Sequence, residues 1–117
     1  MRTVRKPWGH EVIFAETDRY AGKVLHLEAG HSLSLQYHER KDETIFVLEG
    51  RMQLLVEIEG VMRDLTLGPG ESHRIRPGVR HRMRAEEPCR ILEVSSPELD
   101  DVVRLEDDYG REGTSAP

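Results

Sequence analysis

The feature that most constrains this chain is a recurrence of short strand-like segments cut apart by glycine and proline. "HEVIF" (10–14), "GKVLHLEA" (22–29), "SLSLQYH" (32–38), "TIFVLEG" (44–50), "RMQLLVEI" (51–58), "MRDLTL" (62–67), "SHRIR" (72–76), "HRMRA" (81–85) and "CRILEVS" (89–95) all read as extended. The separators are Ala29-Gly30, Glu59-Gly60, Gly68-Pro69-Gly70 and Pro77-Gly78, with Pro88 ahead of the last segment. Glycine admits positive φ and proline presets a turn, so each break has a mechanical cause. Many short strands at this spacing predict an all-β antiparallel sandwich or barrel. No segment before residue 97 shows helical periodicity.

A chain of 117 residues is one domain, able to bury about 65% of its unfolded surface. Its expected extent is 1–111, with 112–117 a flexible tail within the frayed "GREGTSAP" end. Apolar runs reach only four or five residues, so neither a transmembrane segment nor a secretory signal is expected. The single cysteine, Cys89, forms no internal disulfide and no cysteine cluster, and reads as a small buried side chain. A cytoplasmic location is the simplest expectation.

The net charge of −5 argues against nucleic acid as a partner. The charge is unevenly spread, with six arginines and no lysine from Arg74 to Arg90, and six acidic residues around Arg104 from Glu98 to Asp108. A solvated surface explains such runs; a gathering of arginines around an anionic small molecule also does.

Strand alternation puts Leu33, Leu35 and Tyr37 on one face of "SLSLQYH" and Ser34, Gln36 and His38 on the other. A polar face turned inward needs partners, because unsatisfied buried polar groups are costly. Glu43 follows the short turn "ERKD", and a hairpin there would return it beside Gln36 and His38. His81 follows "RPGVR", a second turn opening onto a strand. Oxygen and nitrogen ligands on neighbouring strands suit one divalent first-row metal, zinc or else iron, manganese, cobalt or nickel.

The pattern Gly30-x5-Gln36-x-His38-x4-Glu43-x6-Gly50, followed by Gly70…Pro77-Gly78-x2-His81, resembles the two motifs of the cupin superfamily. Glutamine at position 36, where most cupins have histidine, resembles the type II mannose-6-phosphate isomerase branch, which also occurs as the C-terminal cupin of bifunctional GDP-mannose pyrophosphorylases. "RKPWGHEV", "GESHRIRPGVRHR" and "LDDVVRLEDDYGR" are similar to that branch as well, so the likeness runs from Lys6 to Arg111. It implies a double-stranded β-helix, or jelly-roll barrel, with an N-terminal strand segment and a C-terminal tail folded over it. It also implies Gln36, His38, Glu43 and His81 as metal ligands. The branch usually carries arginine at the place of Lys41 and His-Trp at Thr44-Ile45.

The function implied is aldose–ketose isomerisation, or binding, of a small anionic sugar phosphate. Lys41 and His73 are the candidate bases, and Lys23 and Arg104, with Lys41, the candidate phosphate contacts. For Arg104 an intramolecular salt bridge is an equal reading. The alternatives are a sugar- or metabolite-binding cupin without turnover and an iron-dependent dioxygenase. His10, His26 and His31 match no ligand position and read as structural, and Trp8 reads as a packing anchor. A homodimer is expected, with "RTVRKPWGHEVIF" the segment most suited to cross to a partner.

Overall fold

The computed structural model describes residues 1–112, and the expected tail beyond Glu112 lies outside them. The described residues form eleven strands and no helix. They are β1 Arg2–Lys6, β2 Gly9–Glu16, β3 Ala21–Leu27, β4 Leu35–Tyr37, β5 Glu43–Glu49, β6 Met52–Ile58, β7 Val61–Leu67, β8 Ser72–Ile75, β9 His81–Ala85, β10 Cys89–Ser95 and β11 Val103–Glu106. Two antiparallel sheets result, ordered β1-β2-β3-β10-β5-β8 and β11-β4-β9-β6-β7. Two strands were not among the segments read as extended. "RTVRK" and "VRLE" carry too many charges for the alternation to show, yet each adds an edge strand.

The faces between the sheets bury Leu25, Ile45, Val47, Met52, Leu54, Val56, Ile75, Met83 and Ile91. Burying each such aliphatic side chain contributes about 1.5–3 kcal/mol. Trp8 joins this core at 2% exposure. Its neighbour Gly9 sits at φ +149°, where a Cβ would run into the carbonyl oxygen of His26, so only glycine allows β2 to start this close to β3. The N-terminal segment expected to cross to a partner folds back on its own chain. β1 pairs with β2 over five consecutive positions, from Arg2↔Ile13 to Lys6↔Gly9.

β4 is shorter than the expected 32–38 strand, and the reason affects the site. Ser32 bridges Arg84 and Gln36 pairs with His81, so four steps on one chain span three on the other. This extra residue is a bulge, and it switches which side chains point inward. Leu33 therefore packs in the core on the same side as Gln36 and His38, not on the outer face with Leu35 and Tyr37.

Nor does Glu43 return through a hairpin. β4 and β5 lie in different sheets, so residues 38–42 cross the barrel, as residues 76–80 do between β8 and β9. The two crossings are tied by Gly78 N–H donating to His38 O at 2.7 Å. Side chains from both sheets thereby meet at one end of the barrel.

Candidate functional site

His38 leaves β4, Glu43 opens β5 and His81 opens β9; all three are at most 2% exposed. His38 Nε2 lies 3.0 Å and His81 Nε2 3.3 Å from Glu43 Oε1. The donor atoms of the three residues all lie within 4.8 Å of one another. Two ligands of one zinc-sized ion, each about 2.0–2.2 Å from it in tetrahedral array, are about 3.3–3.6 Å apart.

The hydrogen bonds behind the rings make the case for a cation stronger. His38 Nδ1 donates to the carbonyl of Asp101 at 2.5 Å, and His81 Nδ1 donates to the carbonyl of Val79 at 3.0 Å. In the neutral rings this leaves a lone pair on each Nε2, and both lone pairs face a carboxylate oxygen. His81 Nε2 and Glu43 Oε2 are buried with no hydrogen bond of good geometry. A divalent cation among these atoms satisfies all of them, so the residues fit the metal that the motif implies.

Gln36 stands opposite His81 on one neighbouring strand and opposite Arg104 on the other. Its amide oxygen accepts a hydrogen bond from the Ser34 hydroxyl, which fixes the side chain and leaves a second lone pair on that oxygen.

From this group a cavity runs beneath β1, β2, β3 and β10, walled by Trp8, Leu33, Met83, Leu99 and Val102 among others. Its open space is about 50 Å³, enough for an ion and its waters. Along its floor runs an unbroken alternation of charge. Glu43 meets Lys41 at 3.4 Å, Lys41 meets Glu93 at 3.0 Å, and Glu93 meets Lys23 at 3.9 Å. Lys23 then meets Glu11 at 3.4 Å, and Glu11 meets Lys6 at 3.9 Å. Arg104 and Arg111 also line the cavity. The lining cations number five (Lys6, Lys23, Lys41, Arg104, Arg111) against two carboxylates (Glu11, Glu93).

Burial shapes each of these groups. It opposes charge on Glu43, but Lys41, His38 and His81 outweigh it and hold the carboxyl well below the usual range. Burial likewise opposes charge on Lys41, and Glu93 and Glu43 more than compensate, holding its ammonium above the ordinary lysine range. An ammonium so held keeps its proton and offers hydrogen bonds rather than a lone pair, which speaks against Lys41 as a base. Glu93 is raised, first by burial and then by the neighbouring Glu43 charge. Lys6 is lowered to about 8, by burial and by Lys23, Arg104 and Arg111, against the pull of Glu11.

The structure brings Gln36, His38, Lys41, Lys23 and Arg104 together around one cavity and sets Glu43 and His81 beside His38. It does not bring His73 there: β8 is an end strand, and His73 pairs with Ile45 outside the cavity wall. Sequence reasoning passed over Glu11, Glu93, Lys6 and Asp101, and gave Arg111 a place in the tail motif but no contact of its own. For Glu11 and Glu93 a signal existed, since each is in phase with buried residues of its strand (Glu11 with Ile13, Glu93 with Ile91).

The tail supplies the last wall. β11 pairs with β4, Arg111 grips the buried Asp107 through Nε at 2.9 Å and Nη2 at 3.0 Å, and the Tyr109 hydroxyl meets His31 Nδ1 at 2.7 Å. His10 and His26 stack on each other across β2 and β3, away from the cavity. No helix among the described residues is long and apolar enough to cross a membrane.

Comparison with known proteins agrees with this architecture. Residues 23–95 match the family described as "Cupin domain". Over 115 residues the chain is 36% identical to mannose-1-phosphate guanylyltransferase ManC of Salmonella typhimurium, covering 94% of this chain and 23% of that one. It is 33% identical to xanthan biosynthesis protein XanB of Xanthomonas campestris, covering 94% and 24%. The chain thus spans about a quarter of these curated relatives. Among solved structures, KdgF from Halomonas superposes with a TM-score of 0.69 at 25% identity, covering 79% of this chain and 82% of that one. Oxalate decarboxylase of Lactobacillus farciminis gives 0.74 at 17% identity, covering 89% and 33%, a likeness of fold alone.

Proposed function

The chain belongs to the cupin family, and from that premise we propose that it is a metal-dependent cupin that binds a sugar phosphate and interconverts its aldose and ketose forms. The observation that carries this reading is one cavity lined both by His38 of the His38–Glu43–His81 group and by an excess of cations. The relatives' name, mannose-1-phosphate guanylyltransferase, makes a phosphorylated hexose the substrate class to try first.

His38, Glu43 and His81, with Gln36 as the fourth ligand, would hold the metal. Bound there, it supplies a Lewis acid for the carbonyl and adjacent hydroxyl oxygens. Lys6, Arg104 and Arg111 face the phosphate, where planar guanidinium groups suit its oxygens. Isomerisation moves one proton from C2 to C1 and another from O2 to O1. Lys41 is placed to donate to an oxygen, and Glu93 and Glu11 are the carboxylates lining the cavity that can accept a proton. The open space of about 50 Å³ is below the roughly 300–1,000 Å³ of ordinary ligand pockets. The tail wall bearing Arg104 and Arg111 therefore has to shift for a sugar to enter.

Binding without turnover is the second reading, favoured by the protonated state of Lys41 and by the position of His73 outside the cavity. One experiment separates the two: conversion of mannose 6-phosphate to fructose 6-phosphate by the metal-loaded protein, beside His38→Ala and His81→Ala. Turnover that both variants lose supports the isomerase. Saturable binding of mannose 6-phosphate with no turnover supports the binding cupin and defeats the isomerase.

A further inference from the structure

The two carboxylates that line the cavity, Glu11 and Glu93, are held differently. Glu93 is committed, because Lys41 Nζ donates to it at 3.0 Å. Glu11 points inward from β2 in phase with Ile13, and Lys23 stands diagonally across from it on β3, opposite Ile13. Lys23 Nζ lies 3.4 and 3.5 Å from the two Glu11 oxygens, and Lys6 Nζ lies 3.9 Å from one of them. A fully made bond between an ammonium and a carboxylate is shorter, about 2.7–2.9 Å. Glu11 is only 3% exposed, so bulk water makes up little of the difference. An ionised carboxylate has about four lone-pair sites. Those of Glu11 are under-used at the wall of a cavity, where a donor that enters can take them up.

We infer that Glu11 is a specificity-determining residue of this cavity, a carboxylate that repels any bound phosphate and accepts a hydroxyl of the molecule that carries it. The inference rests on the sugar-phosphate reading above and narrows it to a polyhydroxylated phosphate monoester. Glu11 lies among the cations that face the anion: it contacts Lys6, and its charge favours the charged forms of both Lys6 and Arg104. A phosphate held by those cations therefore comes near a fixed negative charge, and like charges in a buried site repel strongly. That cost falls on every phosphate alike, and its recovery is what differs. A sugar hydroxyl donates to the carboxylate and offsets the cost, whereas a simple alkyl phosphate dianion has no proton to give. A site built to bond a hydroxyl rejects analogues that lack it, because its own polar group stays unpaired. Repulsion of the wrong ligand and attraction of the right one thus reside in one side chain. Before a ligand enters, the same carboxylate answers the charges of Lys6 and Lys23.

Calorimetric titration of the metal-loaded protein with mannose 6-phosphate and with methyl phosphate reads this directly, since both are phosphate monoesters and only the first carries hydroxyls. The wild type should prefer mannose 6-phosphate by about 10- to 100-fold, the worth of a hydrogen bond to a charged group. Glu11→Gln removes the charge, so methyl phosphate should bind about 10-fold more tightly and the preference should collapse toward parity. Glu11→Asp keeps the charge but draws the oxygens back, so mannose 6-phosphate should weaken about 10-fold while methyl phosphate stays as it was. Thermal melting checks that each variant folds. A damaged fold would weaken both ligands together, which neither pattern resembles, and the wild-type and Glu11→Asp titrations decide the matter if Glu11→Gln does not fold. A wild type that binds the two esters equally overturns the inference. So does a Glu11→Gln protein that keeps the wild-type preference, or a Glu11→Asp protein that keeps the wild-type affinity for mannose 6-phosphate. Failure of both esters to bind the wild type and Glu11→Gln alike would defeat the sugar-phosphate reading itself, whereas binding with an unchanged ratio defeats only the role of Glu11.

Discussion

His38 donates its Nδ1 proton to the backbone carbonyl of Asp101, sixty-three residues further along the chain. The carboxylate of the same aspartate accepts the amides of Glu39, Arg40 and Lys41 at 3.0, 2.6 and 2.9 Å. One residue thus fixes both the ring that would bind metal and the turn that carries the chain across the barrel to Glu43. Burial disfavours charge on Asp101, but the three amides prevail and hold its carboxyl below the usual range. The geometry of this candidate site is therefore built from the loop before β11 as much as from the strands that carry His38, Glu43 and His81.

Replacing Asp101 tests that coupling. Asp101→Ala leaves three amides without their acceptor and should lower stability by about 1–3 kcal/mol. Alanine keeps the backbone carbonyl that accepts from His38, but releasing the turn should let that carbonyl and Glu43 shift and weaken metal binding by about 10- to 100-fold. Asp101→Asn keeps one acceptor oxygen and should fall between. Melting curves and zinc titration calorimetry read the two effects separately; unchanged zinc affinity in Asp101→Ala would show that the turn does not govern the ligand set.

Metal removal should be visible as lost stability. With free zinc at one hundred times its dissociation constant, binding stabilises the folded state by about 2.7 kcal/mol, and a chelator should withdraw that amount. His38→Ala, His81→Ala and Glu43→Gln should melt at the same temperature with and without chelator. Gln36→Ala should retain a smaller difference, since the two imidazoles and the carboxylate, stronger donors than an amide oxygen, remain. Metal content by elemental analysis checks the same order.

Much of this grouping was legible in the sequence because its members sit at the ends of strands. His81 opens β9 and Glu43 opens β5, so turn signals located both, while His38, just after β4, was reached through strand alternation and the motif spacing. The face of "SLSLQYH" was only half legible. Gln36 and His38 do point inward, but the bulge between Ser32 and Gln36 turns Leu33 inward as well, and a bulge leaves no mark in a two-residue period. Asp101 was not legible at all, because it acts through backbone amides sixty residues away and no pattern in "LDDVV" distinguishes it from a solvated acid. His73 was named for its nearness to the second motif in sequence, but β8 lies at the end of the sheet and carries it elsewhere. Glu11 and Glu93 were available as charged residues in phase with buried ones, and the opposite charges they need were Lys6, Lys23 and Lys41 on other strands.

The tail wall should loosen in acid. Burial raises the Asp107 carboxyl, but Arg111 more than reverses this and holds it below the usual aspartate value. A depressed folded value means that the pair's contribution is complete above the unfolded value and is lost as pH falls through the folded one. Hydrogen exchange at the Arg111 amide, which donates to Asp107 at 2.7 Å, should therefore lose its protection and approach the intrinsic rate below about pH 4. Asp107→Asn should show the fast rate at neutral pH and no acid step.

Anion binding should weaken on the alkaline side, and Lys6 is the reason. Its amine is lowered to about 8, so it is charged at neutral pH and discharges over a range where Lys41 stays protonated and the arginines stay charged. The sign for stability is opposite to that for binding. A buried lysine with a lowered value costs the fold most while both states are protonated, so stability rises between about pH 8 and 10.5 as the folded state sheds its proton first. Affinity for inorganic phosphate or mannose 6-phosphate should fall across the same interval, because one of the cations facing the anion is lost. Lys6→Met should bind about 10-fold or more weakly at pH 7, in line with loss of one charge-assisted hydrogen bond worth about 1.5–3 kcal/mol, and its residual affinity should stay flat up to pH 9. Calorimetric titration at pH 7 and pH 9 decides the matter: a wild-type affinity that does not change, or a Lys6→Met profile that still falls, would show that Lys6 does not face the bound anion.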